Sequence, residues 1–276
     1  MENTKAKYGI TDIDSYNFDE TGFQMGVLSS QVVVTGSERR NRPKAIQPGN
    51  REWVTVIQAI NAIGWAIPPF IIFKAIYHLN TWYASQNLPK SWVTGVSENG
   101  WTTNKLGIAW LKHFDAHTKA RTVGSHRLLI IDGHESHNSL DFQQICKDSK
   151  IITLCMPPHS SHLLQPLDVG YFSPLKRAYG AEINALIRAY IHHVDKQSFL
   201  PAFKVAFERA FSESNIKASF KGAGLVPFDP EVVISKLDVK LRTPSPPIIE
   251  YDPWESKTPS NVRELEAQST LIRDRI

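Results

Sequence analysis

Three aspartates in this sequence stand where carboxylate chemistry could be assembled. Asp19 follows the alternating residues of a predicted strand, Asp132 follows an apolar run, and Asp168 precedes a long helical pattern. Carboxylate oxygens are ligands that Mg²⁺ and Mn²⁺ prefer, and two such ions about 3.5–4 Å apart can activate a water or hydroxyl at a phosphodiester. One interpretation is therefore a two-metal site.

Each acid also has a purely structural interpretation. Asp19 could begin a turn that Gly22 favours, and Asp168 could cap a helix. Asp132 and Gly133 form a common turn pair. The three acids together are harder to explain in this way than any one of them, but composition and spacing alone leave the structural interpretation and the metal site open.

Histidines offer a second kind of metal site. His134 and His137, then His159 and His162, form two pairs at the same spacing. Zinc accepts histidine, although no cysteine joins these pairs at a usual spacing. We favour His137 as a hydrogen-bond partner or phosphate contact beside the carboxylates. Cys146 is expected to be buried on a helix and is not expected to act as a nucleophile.

The elements that must position the acids follow from hydrophobic periodicity. The apolar runs 128–131 and 151–155 are separated by a helical segment near 139–148, which predicts a right-handed βαβ unit. Asp132 then lies just past the carboxyl end of a strand, where α/β sheets place their sites.

Further elements are predicted on both sides of this unit. Earlier strands are expected at 16–19, 31–35, 53–60 and 66–74, with a connecting region at 77–100. Trp82 and Trp92 in this region could stack on bases, although core or lid positions are commoner for tryptophan. Thr103 is expected to cap a helix to about Thr118. After Asp168, apolar residues at helical spacing predict a long helix over 172–194, followed by helices at 199–211 and 216–221.

Together these elements predict an α/β fold with a ribonuclease-H-like mixed sheet flanked by helices. In that arrangement the first strand and the later parallel strand lie side by side, so their acids meet. We expect a lead-in at 1–15, the ribonuclease-H-like domain at 16–235, and a Pro/Ser-rich tail with a short helix at 236–276.

Composition limits the class of protein. The chain has 276 residues, 42% of them hydrophobic, and a net charge of +4, which permits a nucleic-acid partner without requiring one. Two cysteines do not make a disulfide framework. The apolar stretch 62–73 is broken by two prolines and is too short to span a bilayer, so a soluble, intracellular protein is expected and a membrane partner is not.

Four cations fall within six residues: Arg39, Arg40, Arg42 and Lys44. They could form a solvated loop, a phosphate-contacting loop that binds DNA without base specificity, or a nuclear-localisation signal. We predict DNA contacts here and at His137.

Three stretches, 17–23, 129–137 and 157–168, resemble the catalytic domain of pogo/Tigger-type transposases of the mariner superfamily, the DDE superfamily endonuclease domain. Weaker matches lie at 100–104 and 221–230, and the resemblance covers roughly residues 8 to 235. It implies that Asp19, Asp132 and Asp168 are catalytic and bind two Mg²⁺ or Mn²⁺ ions. It also implies DNA cleavage followed by strand transfer, with DNA as the partner, the nucleus as the location, and a homodimer as a compatible assembly.

Full-length members carry helix-turn-helix domains before the catalytic domain, whereas the first predicted strand here begins within about sixteen residues of Met1. We therefore expect a fragment, a truncated copy or a derived form. Two alternatives stay open: a transposase-derived DNA-binding or scaffold protein without catalysis, and a ribonuclease-H-like nuclease acting on RNA or a hybrid.

Overall fold

The computed structural model describes residues 1–26, 51–83, 88–133, 139–191, 193–237 and 258–273. The chain forms two compact units, Met1–Leu237 and Asp238–Ile276. The predicted strand at 31–35 and the basic residues Arg39, Arg40, Arg42 and Lys44 lie outside the described residues. No helix within the described ranges is long and apolar enough to cross a membrane.

The strands of the first unit are β1 (Ser15–Gln24), β2 (Trp53–Asn61), β3 (Phe70–Lys74), β4 (Val93–Ser97), β5 (Arg127–Ile131) and β6 (Ile151–Cys155). Its helices are α1 (Glu2–Tyr8), α2 (Asn104–Thr118), α3 (Leu140–Asp148), α4 (Ser161–Leu164), α5 (Phe172–Arg188), α6 (Lys196–Ala210), α7 (Glu213–Gly222) and α8 (Glu231–Ile234). The second unit contains α9 (Val262–Arg273), whose first turn is held by the Glu264 amide donating to the Asn261 Oδ1 (3.0 Å).

The strands form one mixed sheet in the order β4-β3-β2-β1-β5-β6. β2 pairs antiparallel with both β1 and β3, while β1 pairs parallel with β5 and β5 pairs parallel with β6. The predicted βαβ unit, with α3 as its crossover, is confirmed. The predicted ribonuclease-H-like mixed sheet flanked by helices is confirmed as well.

Alternating residues of β1 feed two hydrophobic cores, one on each face of the sheet. Phe18 packs on Trp110 of α2, with ring centroids 4.1 Å apart. Phe23 packs on Tyr179 of α5 and Phe199 of α6, at 5.2 and 6.1 Å. The sheet is therefore sandwiched between α2 and α3 on one face and the later helices on the other, with β1 and β5 as neighbouring interior strands.

The prediction that β1 ends near Asp19 at a turn on Gly22 is wrong. The strand continues to Gln24, and Gly22 pairs with Thr55 of β2. A Cβ atom on Gly22 would meet the Trp53 ring at 1.8 Å, so glycine is needed for a close approach of this ring and not for a turn. Asp19 consequently lies in mid-strand.

Two other predictions need correction. The connecting region 77–100 contains β4, a short strand that includes Gly95 and pairs parallel with β3. The long helix predicted over 172–194 ends at Arg188, because Tyr190 adopts a left-handed conformation (φ 63°). The amide of Ile191 then donates to the Leu186 carbonyl, which completes a Schellman helix end.

Candidate active site

The first two acids are brought together by the pairing of β1 with β5. In this parallel ladder Asn17 lies opposite Ile130, and continuing the register by two residues puts Asp19 opposite Asp132. β5 ends at Ile131, so Asp132 occupies the carboxyl end of its strand, as predicted. Both side chains are half-buried. The two acids therefore lie on neighbouring strands at the same level of the sheet.

The third acid lies in a π-helical turn, Leu167–Tyr171, that leads directly into α5. This agrees with the prediction that Asp168 stands at or just before a helix N-terminus. Single π-turns are rare and occur frequently at functional sites. The Asp19 and Asp168 carboxyl groups share a hydrogen bond, which links this turn to the middle of β1.

Two buried side-chain amides hold the π-turn against the sheet. Asn17 accepts a hydrogen bond from the Leu167 amide through Oδ1 (2.9 Å) and donates from Nδ2 to the Ile130 carbonyl (3.2 Å). Gln165 donates from Nε2 to the Phe18 carbonyl (3.1 Å). Both amide side chains are fully buried. Asn17 therefore connects β1, β5 and the turn that carries the third acid.

The electrostatics of the three acids are unbalanced. Burial raises the pKa of Asp19 well above its ordinary value, and the negative charge of Asp168 raises it further. The pKa of Asp168, whose outer edge is exposed, is also raised, by partial burial and by Asp132. The hydrogen bond from Asp19 and the cation of Lys176 oppose this rise. Three carboxylates close together thus lack enough positive charge to balance them.

Two basic groups lie near Asp168; the sequence reasoning missed Lys176 and, among the four histidines, favoured His137 over His162. Lys176 and His162 both lie close enough to lower the pKa of Asp168. Lys176 is exposed on α5, eight positions after Asp168 and about two helical turns further on. This spacing between Asp168 and Lys176 is the sequence signal that could have identified the lysine. An exposed cation at this distance could contact a phosphate beside the acids.

The donor chemistry of the three acids fits Mg²⁺ or Mn²⁺, since all the donors are carboxylate oxygens. Burial and neighbouring acids raise the pKa values of Asp19 and Asp168, so a bound cation would stabilise their charged forms. The side-chain geometry is not that of a closed ligand set. Among the described residues, no group of three or more His, Cys, Asp or Glu side chains is arranged to hold a metal ion.

The remaining candidates fall in different places. His134 and His137 lie outside the described residues, as do the four basic residues of the predicted DNA-contacting loop. Cys146 is buried on α3, as predicted, and burial raises the pKa of its thiol to about 12, so it stays protonated. Trp82 and Trp92 are partly buried and pack against the core, in agreement with the structural interpretation of these tryptophans.

A cavity of about 930 Å³ lies between β4 and α2, lined in part by Phe70, Val93, Leu106 and His113. None of the three acids lines it. A polymer such as duplex DNA is too wide to enter a space of this size, so the surface around the acids is the better candidate for a nucleic-acid site.

Sequence comparison relates this chain to longer proteins. It is 59% identical over 271 residues to "MFS-type transporter clz9" of Cochliobolus lunatus, covering 98% of this chain and 29% of that protein. It is 23% identical over 143 residues to "Pogo transposable element with ZNF domain" of Homo sapiens, covering 51% of this chain and 10% of that protein. The chain thus spans less than a third of the length of either relative.

Two solved structures share the fold. One is the Mos1 strand transfer complex, with a TM-score of 0.52 and 11% identity over 81% of this chain and 55% of that chain. The other is the Mos1 mariner paired end complex with Mn, with a TM-score of 0.50 and 10% identity over 85% of this chain and 58% of that chain.

The family model described as "DDE superfamily endonuclease" matches residues 50–220, more than half of the chain. This match agrees with a mixed sheet that carries acids on β1 and just past the end of β5, and a third acid before a helix. The chain belongs to the DDE superfamily endonucleases.

Proposed function

We propose that this domain is a metal-dependent DNA endonuclease and strand-transfer domain of a transposase. The observation that carries the proposal is the meeting of Asp19, Asp132 and Asp168 across β1, the end of β5 and the π-turn. In this proposal the three aspartates hold two Mg²⁺ or Mn²⁺ ions. When bound, the ions lower the pKa of the attacking oxygen and neutralise the leaving oxygen at phosphorus.

The residues around the acids have distinct proposed roles. Asn17 and Gln165 hold the π-turn so that the Asp168 carboxyl stays beside Asp19. Lys176 orients a phosphate of the substrate, since it is exposed and close to Asp168. The Mos1 mariner paired end complex that shares the fold contains Mn, which supports the choice of divalent ion.

DNA is the proposed substrate, as it is the partner implied by the family and by the strand transfer complex that shares the fold. Arg39, Arg40, Arg42, Lys44 and His137 are proposed to contact its phosphates. A paired end complex of similar fold supports the proposal that two copies act together. The nucleus is the proposed location because the substrate is there.

The proposal is tested by nicking of supercoiled plasmid with Mg²⁺ or Mn²⁺. We expect the wild type to nick and Asp132→Asn to be inactive, because the variant removes a ligand charge while barely changing volume. Asp141→Asn, which removes an exposed charge at the start of α3, is the matched control and should nick at the wild-type rate.

Nicking by Asp132→Asn at the wild-type rate would contradict the assignment of the acids. DNA binding without nicking, in a wild type that binds no Mn²⁺ by calorimetry, would instead indicate a transposase-derived binding protein. Faster cleavage of an RNA–DNA hybrid than of DNA would indicate the ribonuclease alternative.

A further inference from the structure

An exposed tryptophan is built into the first unit close to the acids. The Trp101 ring stacks on the Trp53 ring, with centroids 5.4 Å apart and planes 19° from parallel. One face of Trp101 is covered in this way, yet the side chain remains 55% exposed, which leaves its opposite face open to solvent. Trp53 is itself fixed, since its Nε1 donates to the Thr55 hydroxyl (3.1 Å).

The backbone of Trp101 is held from both sides. Its amide donates to the Asn99 Oδ1 (2.9 Å), and its carbonyl accepts from the Ser97 hydroxyl (2.7 Å). The next residue, Thr102, donates its hydroxyl to the Glu20 Oε2 (2.5 Å) on β1. Gly100 before it has φ +82°, a conformation that suits glycine. A large aromatic surface is therefore presented without the entropy cost of ordering a mobile loop on binding.

The position of this surface relative to the acids follows from β1. The Trp53 ring crosses the strand at Gly22, three residues after Asp19. At about 3.3 Å per residue the separation along the strand is roughly 10 Å, the length of about three stacked nucleotides. Asp19 and Gly22 lie on opposite faces of the strand, as alternate residues must.

The pairing of β1 with β5 ends below the level of Asp19, and a polymer strand that reaches the acids could cross from one face of β1 to the other beyond this point. β5 pairs with β1 only through Asn17, so within the described ranges no strand covers that flank of β1 beyond this point. A cation lies one residue from Trp101, beside Gly100. Lys74 is exposed beside Gly100, with its Cβ 3.2 Å from the position that a Gly100 Cβ would take, and it forms no ion pair with the described residues.

We propose that the open face of Trp101 stacks on the base of an unpaired nucleotide in the DNA strand that passes through the acid site, with Lys74 contacting a neighbouring phosphate. This rests on the proposed function, because it takes DNA as the substrate. Bases inside a duplex already stack on each other, so an indole face selects a base that is unpaired or flipped. Stacking of this kind changes affinity by about 5- to 150-fold per base.

The test compares the wild type with Trp101→Phe and Trp101→Leu by fluorescence anisotropy without divalent ions. The probes are a blunt duplex and a forked duplex with single-stranded arms, the fork also prepared with one abasic site at each successive arm position. In the wild type, one abasic position should weaken binding about 5- to 150-fold. Trp101→Phe should retain most of this effect. Trp101→Leu should bind the intact fork as weakly as the wild type binds the abasic one. Blunt duplex should bind all three proteins alike.

Equal binding of the intact fork by Trp101→Leu and the wild type would overturn the proposal, and so would an abasic effect of equal size in both. Either result would mean that Trp101 serves only in packing. Thermal unfolding of each variant shows whether a loss of binding comes from misfolding. Nicking is read separately. A protein that nicks without an abasic effect refutes the stacking site alone, whereas an abasic effect without nicking refutes the endonuclease alone.

Discussion

The two ends of the β1–β5 pair carry carboxylates in opposite circumstances. Asp14, directly before β1, accepts hydrogen bonds from the amides of Val123 (2.9 Å) and Gly124 (2.7 Å) and from the Thr11 hydroxyl (2.6 Å). Asp19, five residues later, has a pKa raised by burial and, further, by the negative charges of neighbouring acids. The first carboxylate is matched by donors and serves the fold. The second is left unmatched, which costs stability and fits a site that awaits a cation.

The two ends of β5 show the same contrast, here between a buried positive charge with hydrogen-bond acceptors and an acid that lies near other acids. Arg127 is buried, yet its guanidinium donates to Asp115, to the Thr118 hydroxyl and to the Ser149 carbonyl, each at 2.6 Å. At the other end of the same strand Asp132 approaches two further acids. One end of the β1–β5 pair is therefore a satisfied anchor, and the other is an electrostatically strained site.

The largest difference is expected between single Asp-to-Asn substitutions at the two ends of the β1–β5 pair. Asp19→Asn should lower Mn²⁺-dependent nicking by roughly a thousandfold, since metal-ion stabilisation of a transition state is worth several kcal/mol. Asp14→Asn should leave the nicking rate per folded molecule unchanged. Rates of plasmid nicking at saturating Mn²⁺ check this, and equal losses in the two variants would erase the distinction.

Next in size is the stability of the matched end. Asp14→Ala leaves two part-buried amides without their acceptor and should reduce the free energy of unfolding by about 1–3 kcal/mol. Urea unfolding at constant slope measures this loss. Asp12→Ala is the control, because the exposed Asp12 makes only a surface ion pair with Lys5 and should cost less than about 1 kcal/mol. A smaller loss in Asp14→Ala than in the control would contradict the anchor role.

The buried amide between the two ends should have a smaller effect on chemistry. Asn17→Ala is expected to weaken the apparent affinity for Mn²⁺ or to lower the nicking rate about 10- to 100-fold, as happens when a residue that orients metal ligands is lost. Gln58→Ala is the matched control: Gln58 is also buried, on β2, and donates to the Ala59 (3.0 Å) and Ile67 (2.6 Å) carbonyls. Both variants should lose stability, but only the first should need more Mn²⁺ for half-maximal nicking. A Mn²⁺ requirement raised equally in both would make Asn17 a purely structural residue.

The pH dependence of stability has a definite sign. An acid whose pKa is raised by folding favours the folded state while protonated, and this contribution is lost as pH rises through the folded pKa. Without metal, Asp168→Asn should therefore be more stable than the wild type at pH 8, and the difference should shrink towards the ordinary aspartate pKa of 3.8. Saturating Mn²⁺ should remove the advantage at pH 8. Urea unfolding at several pH values, with and without Mn²⁺, tests this, and a pH-independent difference would refute it.

The smallest effect is expected from the basic residues at 39–42, which are not part of the β1–β5 pair. Replacing Arg39, Arg40 and Arg42 with Ala should weaken DNA binding and reduce the slope of log affinity against log salt by up to roughly three. Replacing Lys217 and Lys221 on α7 serves as a control and should change the slope little. An unchanged slope in the arginine variant would favour the alternative interpretation, a solvated loop that does not contact DNA.

Sequence periodicity and short-range signals predicted much of this architecture. The βαβ unit, the cap at Thr103 (which accepts from the Leu106 amide, 3.3 Å) and the position of Asp168 before a helix were all predictable from local pattern. β4 was missed because it is short and contains Gly95, whose missing side chain makes room for Leu106 and Phe70. Such a reason is visible only in three dimensions.

The site was predictable as a set of acids but not as a supported structure. Asn17 gave no signal of its own, because its partners Leu167 and Ile130 are distant in sequence. Gly22 suggested a turn because the ring that crosses it belongs to another strand. Val194 matched the spacing of α5 by coincidence, since it is buried beyond the end of that helix. Long-range contacts decided each of these cases.

The attachment of the π-turn to β1 has a consequence for folding. Asn17 and Leu167 are separated by 150 positions, and Gln165 and Phe18 by 147. Contacts of such long range form late, since the entropy of closing a large loop must first be overcome. The Asp168 carboxyl can join Asp19 and Asp132 only when these contacts have formed. Under the proposed function, we therefore expect DNA cleavage only from molecules in which the π-turn is already attached to β1.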